Sequence, residues 1–311
     1  MSPLTLSRIS GRAGRPGEGP VPAPLRPAPL RPSLDLARGA LVSVFVVSVC
    51  LLLELALVSG VQGRASQQKA FQRLRGDLAN GTAPVGPTDD EGRVLAPGSP
   101  IAYLEIPSID LRQVVVEGTT AANLFTGPGH RRDSPLPGQG GVSVILGRRA
   151  AFGGPFARIP TLDPGAIIKV TTGQGAYKYR VIGPRREGDP LPPPMKPGGG
   201  RLLLVTADGR PFLPSGVLRV DADLEGPADP GPARLMTNAS LPAAEQIMGV
   251  TTDSLWALAL WIQALILVLI GAAWAWHRWG RVQAWVVASP VLLLVGLSAS
   301  GEVARLLPNL L

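Results

Sequence analysis

The chain has 311 residues, 45% of them apolar, and a net charge of +8 carried almost wholly by arginine. Long uncharged runs point to a membrane protein, and scattered Arg residues without interleaved aromatics exclude a nucleic-acid platform. The lone cysteine, Cys50, excludes an intramolecular disulfide framework. Cys50, His130 and His277 cannot form a Cys/His metal cluster, and no Asp/Glu cluster has loop-ligand spacing, so no metal or cofactor is expected.

Residues 1–36 are rich in Pro, Arg and Gly and predict a disordered tail, because they cannot bury enough apolar surface to offset chain entropy. Residues 39–61 form an apolar run about long enough to cross a bilayer core of roughly 30 Å. The run is long for a signal-peptide core, so an uncleaved anchor is expected. Glu54 interrupts it, read as a protonated or snorkelling carboxylate near the outer end. Cys50 reads as a small buried hydrophobe. Residues 62–99 predict a linker or stalk, weakly helical over 65–79 and then rich in Pro, Gly and Asp.

From residue 100 the pattern changes to short β-rich runs separated by Gly/Pro turns. They are 101–106, 114–116, 142–146, 166–170, 177–182, 202–205 and 217–224. Seven or eight such strands with little helix predict a closed barrel over 100–226. A second linker spans 227–253. Apolar helices are predicted over 255–276 and 284–300, the latter containing Pro290. Trp276 and Trp279 flank the basic loop 277–281 as interface anchors. Arg residues in the tail and at Arg278 and Arg281, against none in 235–253, place tail and loop on the cytoplasmic side. The barrel and the C-terminus then lie outside. Arg64, Lys69, Arg73 and Arg75 run against this bias.

Several motifs in the barrel region resemble those of sortases, most closely the actinobacterial class E. Ile101-Ala-Tyr-Leu-Glu-Ile-Pro-Ser-Ile-Asp110 resembles the family's opening strand. Gly127-Pro-Gly-His130 resembles the turn before the active strand. Gly153-Gly-Pro-Phe-Ala-Arg-Ile-Pro-Thr-Leu-Asp-Pro-Gly165 resembles the helix and turn after it, and 171–181 resembles the next hairpin. Their order and spacing carry the resemblance. A proteome of high-GC, actinobacterial type fits the excess of Arg over Lys. The implied architecture is mainly β: a sortase-type closed barrel outside the membrane, with three transmembrane helices, one N-terminal and two C-terminal.

The resemblance implies a Cys nucleophile, a His that exchanges protons with the amine, and an Arg that stabilises the oxyanion. Val144-Ile-Leu-Gly-Arg-Arg149 resembles the strand that ends in Gly-His-Arg, and Leu204-Val-Thr-Ala-Asp-Gly209 the strand that carries the nucleophile. The His position is then Arg148 and the Cys position Ala207. Arg219 stands at the Arg position. Alanine has no nucleophile, and arginine stays protonated. His130 lies in the preceding turn and is no substitute. Thr206, Ser143 and Ser215 are nearby hydroxyls without a local base.

The expectation is a catalytically silent sortase homologue acting as a binding or scaffold module at the cell surface. Arg148, Arg149, Asp208 and Arg219 are its possible ligand-binding residues, with Asp208 a candidate partner for one of the arginines. Expected partners are a sorting-signal peptide, an active sortase or a neighbouring membrane protein, besides the lipid bilayer. Alternatives are a hydrolase or transpeptidase using non-thiol chemistry in the same cleft, or a membrane-assembly component with the barrel as spacer.

Overall fold

The computed structural model describes residues 45, 48–49, 52–53, 58–250 and 255–311, without the side chains of Trp276, His277 and Arg281. The expected tail 1–36 and most of the expected first span, Cys50 and Glu54 included, lie outside the described residues.

Eight strands close into a barrel in the order β1-β2-β3-β4-β7-β8-β6-β5. They are β1 (Pro100–Ile106), β2 (Leu111–Glu117), β3 (Gly129–His130), β4 (Gly141–Leu146), β5 (Ile167–Thr172), β6 (Gly175–Arg185), β7 (Gly200–Arg210) and β8 (Leu213–Leu224). The expected barrel is therefore present. The strand missing from the sequence reading is β3, two residues long and too short to show a periodicity. Neighbours are antiparallel except β2 with β3 and β4 with β7, which run parallel. A parallel pair needs a crossover, and the chain between β4 and β7 supplies it by running through β5 and β6 at the far side of the barrel.

Alternation along each strand divides the side chains between two faces. On β7, Leu202 and Leu204 enter the main core with Leu218 and Val220 of β8 and Ile145 of β4. Leu203, Val205 and Ala207 point the other way, with Val142, Val144 and Leu146 of β4 and Val217 of β8. The sheet wall formed by β4, β7 and β8 is thus apolar on both sides. Its outer face needs cover.

Helix α1 (Ser59–Asn80) packs on the barrel rather than standing apart as a stalk. Ala70 and Leu74 are buried against Val114 of β2. The Gln67 amide accepts from the Val114 N–H at 2.7 Å and donates to the carbonyls of Val114 at 3.0 Å and Thr126 at 2.8 Å. Helices α2 (Leu255–Trp279) and α3 (Arg281–Leu306) form a hairpin. Both contain stretches long and apolar enough to cross a membrane, Leu255–Ala275 and Val282–Leu306. Those stretches overlap the two predicted spans, although the helices themselves extend further.

The barrel floor is closed by Tyr179, whose buried hydroxyl accepts the Gly138 N–H at 2.6 Å. Removing that oxygen leaves a buried donor unpaired, which costs roughly 1–3 kcal/mol. Tyr179→Phe is therefore expected to lower the midpoint of thermal unfolding without altering the far-UV circular dichroism at 25 °C.

Candidate functional site: a covered cleft

The parallel pairing of β4 with β7 places Leu146 opposite Val205, and the Gly147 N–H donates to the Val205 carbonyl at 3.0 Å. Two residues further along each strand direction stand Arg148 and Ala207. Arg148 lies just past the end of β4, while Ala207 is still inside β7 and paired with Val217 of β8, on the face opposite the main core. Gly147 is needed at this exit, since a Cβ there would lie 2.4 Å from the Phe156 ring. Across the antiparallel β7–β8 pair, Arg219 faces Val205 and Val217 faces Ala207. The sequence-predicted positions 148, 207 and 219 are thus brought to one wall.

Arg148 is fully buried. One guanidinium nitrogen, Nη1, donates to the Leu311 carbonyl at 2.9 Å and the other, Nη2, to the Ala121 carbonyl at 3.2 Å. The Phe125 and Phe152 rings pack on each other with centroids 4.0 Å apart and lie on one side of its guanidinium carbon, at 4.7 and 5.2 Å. Among the described residues it pairs with no side-chain carboxylate, and Nε has no hydrogen-bond partner. Burial pushes its pKa down to about 9, so the group remains cationic at neutral pH. Phe152 adopts a left-handed backbone (φ 55°), a conformation rare for an aromatic residue.

Ala207 is buried in an apolar cluster with Leu124, Val144, Leu146 and Val205. The remaining buried members are Leu310 and Leu311, from the segment that follows α3, and Ile247 and Met248 pack alongside. Asn309 anchors this cover. Its amide donates to the carbonyls of Thr119 and Gln246, each at 2.8 Å, and its backbone N–H to Gly249 at 3.0 Å. The expected linker 227–253 therefore contributes a lid over the wall. Neither the lid nor the tail was foreseen as part of the site.

The other expected ligand-binding residues are spread apart. Asp208 pairs with Arg186 at 2.8 Å, not with Arg148, Arg149 or Arg219, because the chain leaving β6 carries Arg186 across the end of β7. That hydrogen bond is the main reason the Asp208 carboxyl is held below its usual range, and the Arg149 charge adds to it. Arg149 donates its backbone N–H to the Leu310 carbonyl at 2.9 Å. Arg219 is half-buried and its side chain forms no ion pair or hydrogen bond among the described residues. Of the nearby hydroxyls, Thr206 and Ser143 are buried without a partner, and Ser215 is exposed beside the β7–β8 turn. Among the described residues no group of three His, Cys, Asp or Glu could hold a metal ion.

A second polar constellation lies at the β2–β3 end. His130 is buried, with Nδ1 2.8 Å from Glu117 Oε2, and Nε2 3.0 Å from the Pro135 carbonyl and 3.1 Å from Ser134 Oγ. Ser–His–Glu proximity resembles a hydrolytic triad, but its protons are placed otherwise. Both ring nitrogens face acceptors, a carboxylate and a carbonyl, which favours the imidazolium. Burial opposes the charge. The Glu117 charge and hydrogen bond and the Pro135 carbonyl outweigh it, and the His130 pKa is raised. Ser134 Oγ donates to the Arg131 carbonyl at 2.8 Å and accepts from the Val144 N–H at 3.1 Å. The adjoining cavity holds about 20 Å³, room for one water.

Comparison with known proteins agrees with the barrel. The family described as Sortase domain matches residues 104–189. That range includes Arg148 and stops before β7, so the placement of Ala207 rests on strand register. Sortase D of Bacillus subtilis (strain 168) is 33% identical over 85 residues, covering 27% of this chain and 41% of that protein. The chain thus spans under half the length of this curated relative. Among solved structures, the Clostridium perfringens Sortase D5 transpeptidase aligns with a TM-score of 0.43 at 21% identity, covering 52% of this chain and 99% of that one. Streptomyces avermitilis sortase E aligns with a TM-score of 0.36 at 26% identity, covering 49% and 100%. Residues 104–189, which match the sortase-domain family, lie within a closed eight-stranded β-barrel.

Two tests address these buried charges. Arg148→Ala leaves two main-chain oxygens unpaired and empties the space beside the packed rings, and should cost about 2–4 kcal/mol. Arg148→Met refills the space and should cost clearly less in the same unfolding measurement. His130 has a folded pKa above its unfolded value near 6.5. Its contribution is therefore fully present below pH 6.5 and is lost as pH rises through the folded pKa. Glu245, pushed up mainly by burial, acts in the same sense from nearer pH 4.5. The melting temperature should fall as pH rises above 6.5, and Glu117→Gln should flatten that fall.

Proposed function

We propose that this chain is a membrane-anchored, extracytoplasmic sortase-domain protein of class E type that binds an extended peptide in its cleft and does not cut it. The observation that carries this reading is that Arg148 follows β4 and Ala207 lies on β7, each two residues past the paired Leu146 and Val205, at the positions where the resemblance calls for a proton-exchanging His and a thiol. Without a nucleophile the acyl-enzyme route has no first step. Without a titrating imidazole the amine leaving group has no proton donor. Arg219, half-buried and unpaired among the described residues, keeps a charge on the wall that can meet a peptide carbonyl.

The helices α2 and α3 support a membrane location. The barrel joins the start of α2 through the segment after β8, and the tail after α3 returns to the barrel. A hairpin that spans the membrane has both its ends on one side, so barrel and tail lie on the same side. The charge bias of the sequence puts that side outside. Partners of the proposed module are a sorting-signal peptide, an active sortase or a neighbouring membrane protein.

A hydrolase using Ser134, His130 and Glu117 is the second reading. One observation favours it, the ring-to-hydroxyl distance of 3.1 Å. The committed hydroxyl and a cavity of about 20 Å³ oppose it.

The test uses the full chain in lipid nanodiscs, incubated with a fluorescent sorting-signal peptide and an amine acceptor. The expected outcome is no cleaved or transferred product by mass spectrometry over a day. Product formed by the native chain and abolished by Ser134→Ala would replace the proposed reading with the hydrolase. Product that survives Ser134→Ala would overturn the silent cleft altogether.

A further inference from the structure

We propose that the segment Leu307–Leu311 is the resident peptide ligand of the cleft, held in cis, so that the membrane hairpin and the barrel are latched together and a free peptide enters only by displacing it. The proposal rests on the reading of the cleft as a peptide groove and names its occupant. The contacts are those of a bound peptide rather than of a loose tail. Backbone groups are used along the segment: Asn309 donates to Gly249, Leu310 accepts from Arg149 and Leu311 accepts from Arg148. The Asn309 side chain fixes the register through Thr119 and Gln246. The side chains of Leu310 and Leu311 are buried in the cluster that contains Ala207. The segment is not extended: the Leu311 N–H donates to the Pro308 carbonyl at 3.1 Å, so it sits as a tight turn whose outward backbone groups are bonded to the barrel and lid and whose apolar side chains fill the pocket.

The residues that differ from the family's pattern are the ones that meet this segment. Ala207 offers an apolar methyl group where a thiol is expected. Arg148 offers two donors where a ring is expected, and one of them holds Leu311. The Phe125 and Phe152 rings hold the guanidinium in place. The segment joins directly to α3 at Leu306. Such a short tether gives an effective concentration on the order of millimolar. A tail of ~100 μM intrinsic affinity then weakens binding of a competing peptide about tenfold.

The experiment keeps the full chain in nanodiscs, with Cys50→Ser to remove the native thiol. Ala207→Cys with Leu310→Cys is oxidised, and a protease site in 227–253 is then cut. A seated tail leaves the barrel and hairpin fragments joined on a non-reducing gel. The control pair, Ala207→Cys with Leu260→Cys on the exposed face of α2, leaves them separate. Absence of the first cross-link overturns the seating. In parallel, a fluorescent Leu-Pro-Asn-Leu-Leu peptide is titrated onto the intact chain and onto a chain lacking 307–311. At least tenfold tighter binding to the shortened chain is expected. Leu310→Glu, which places a charge in the apolar cluster, should give the same gain if the deletion fails to fold. A cross-link with no gain in either variant overturns the ligand role. Cleavage of the peptide by the shortened chain refutes catalytic silence and leaves the seating intact.

Discussion

A guanidinium held out of water at the end of a parallel strand pair governs this end of the barrel. Removing a charge from water costs several kcal/mol unless its donors are met. No side-chain carboxylate does this for Arg148 among the described residues, so main-chain oxygens and aromatic rings share the task. Two main-chain oxygens take two nitrogens, and the packed Phe125–Phe152 pair lies against the group on one side. Those groups come from four places: the turn after β2, the short helix at 123–125, the loop after β4 and the tail after α3. One side chain therefore ties together segments far apart in sequence. Its burial is possible only while all of them are in place.

The same requirement explains why the wall is covered. A sheet with apolar residues on both faces exposes one of them unless something packs there. The outer faces of β4 and β7 carry Val142, Val144, Leu146, Leu203, Val205 and Ala207, and the lid at 247–248 and the tail at 310–311 lie against them. The positive backbone angle of Met248 (φ 62°) belongs to this lid. Strain of this kind persists where surrounding contacts over-determine it. Here those contacts include the Asn309 N–H bonded to the adjacent Gly249 carbonyl.

Much of the barrel was legible because β-branched runs with period two, broken by Gly and Pro, are local signals. β3 was not, since two residues carry no period. The alignment of 148, 207 and 219 on one wall was also legible, through the order of motifs that resemble sortases, and strand register brings them together independently. What covers the wall was hidden. Leu307-Pro-Asn-Leu-Leu311 reads as the frayed end of an apolar helix, and no local property of it names a partner more than 150 residues earlier. The pairing of Asp208 was hidden for a related reason. Its neighbour in sequence is Ala207, but its neighbour in space is Arg186, brought there by the course of the chain after β6.

These observations bear on how loss of a nucleophile and closure of a cleft can be linked. A working transpeptidase has to admit a peptide and then an amine, so its groove must open to solvent on each turnover. A thiolate and an imidazole also need water or each other to remain reactive. Alanine and a buried arginine need neither. Alanine gains from a dry apolar neighbour, and Arg148 loses least when carbonyls replace water completely. With an alanine and a buried arginine at these positions, packing favours a cover over an open groove, and a covalently tethered cover is favoured over a diffusing one by its effective concentration. Under the proposed reading, the features that remove the chemistry are the same ones that make the cleft a stable seat for the chain's own tail.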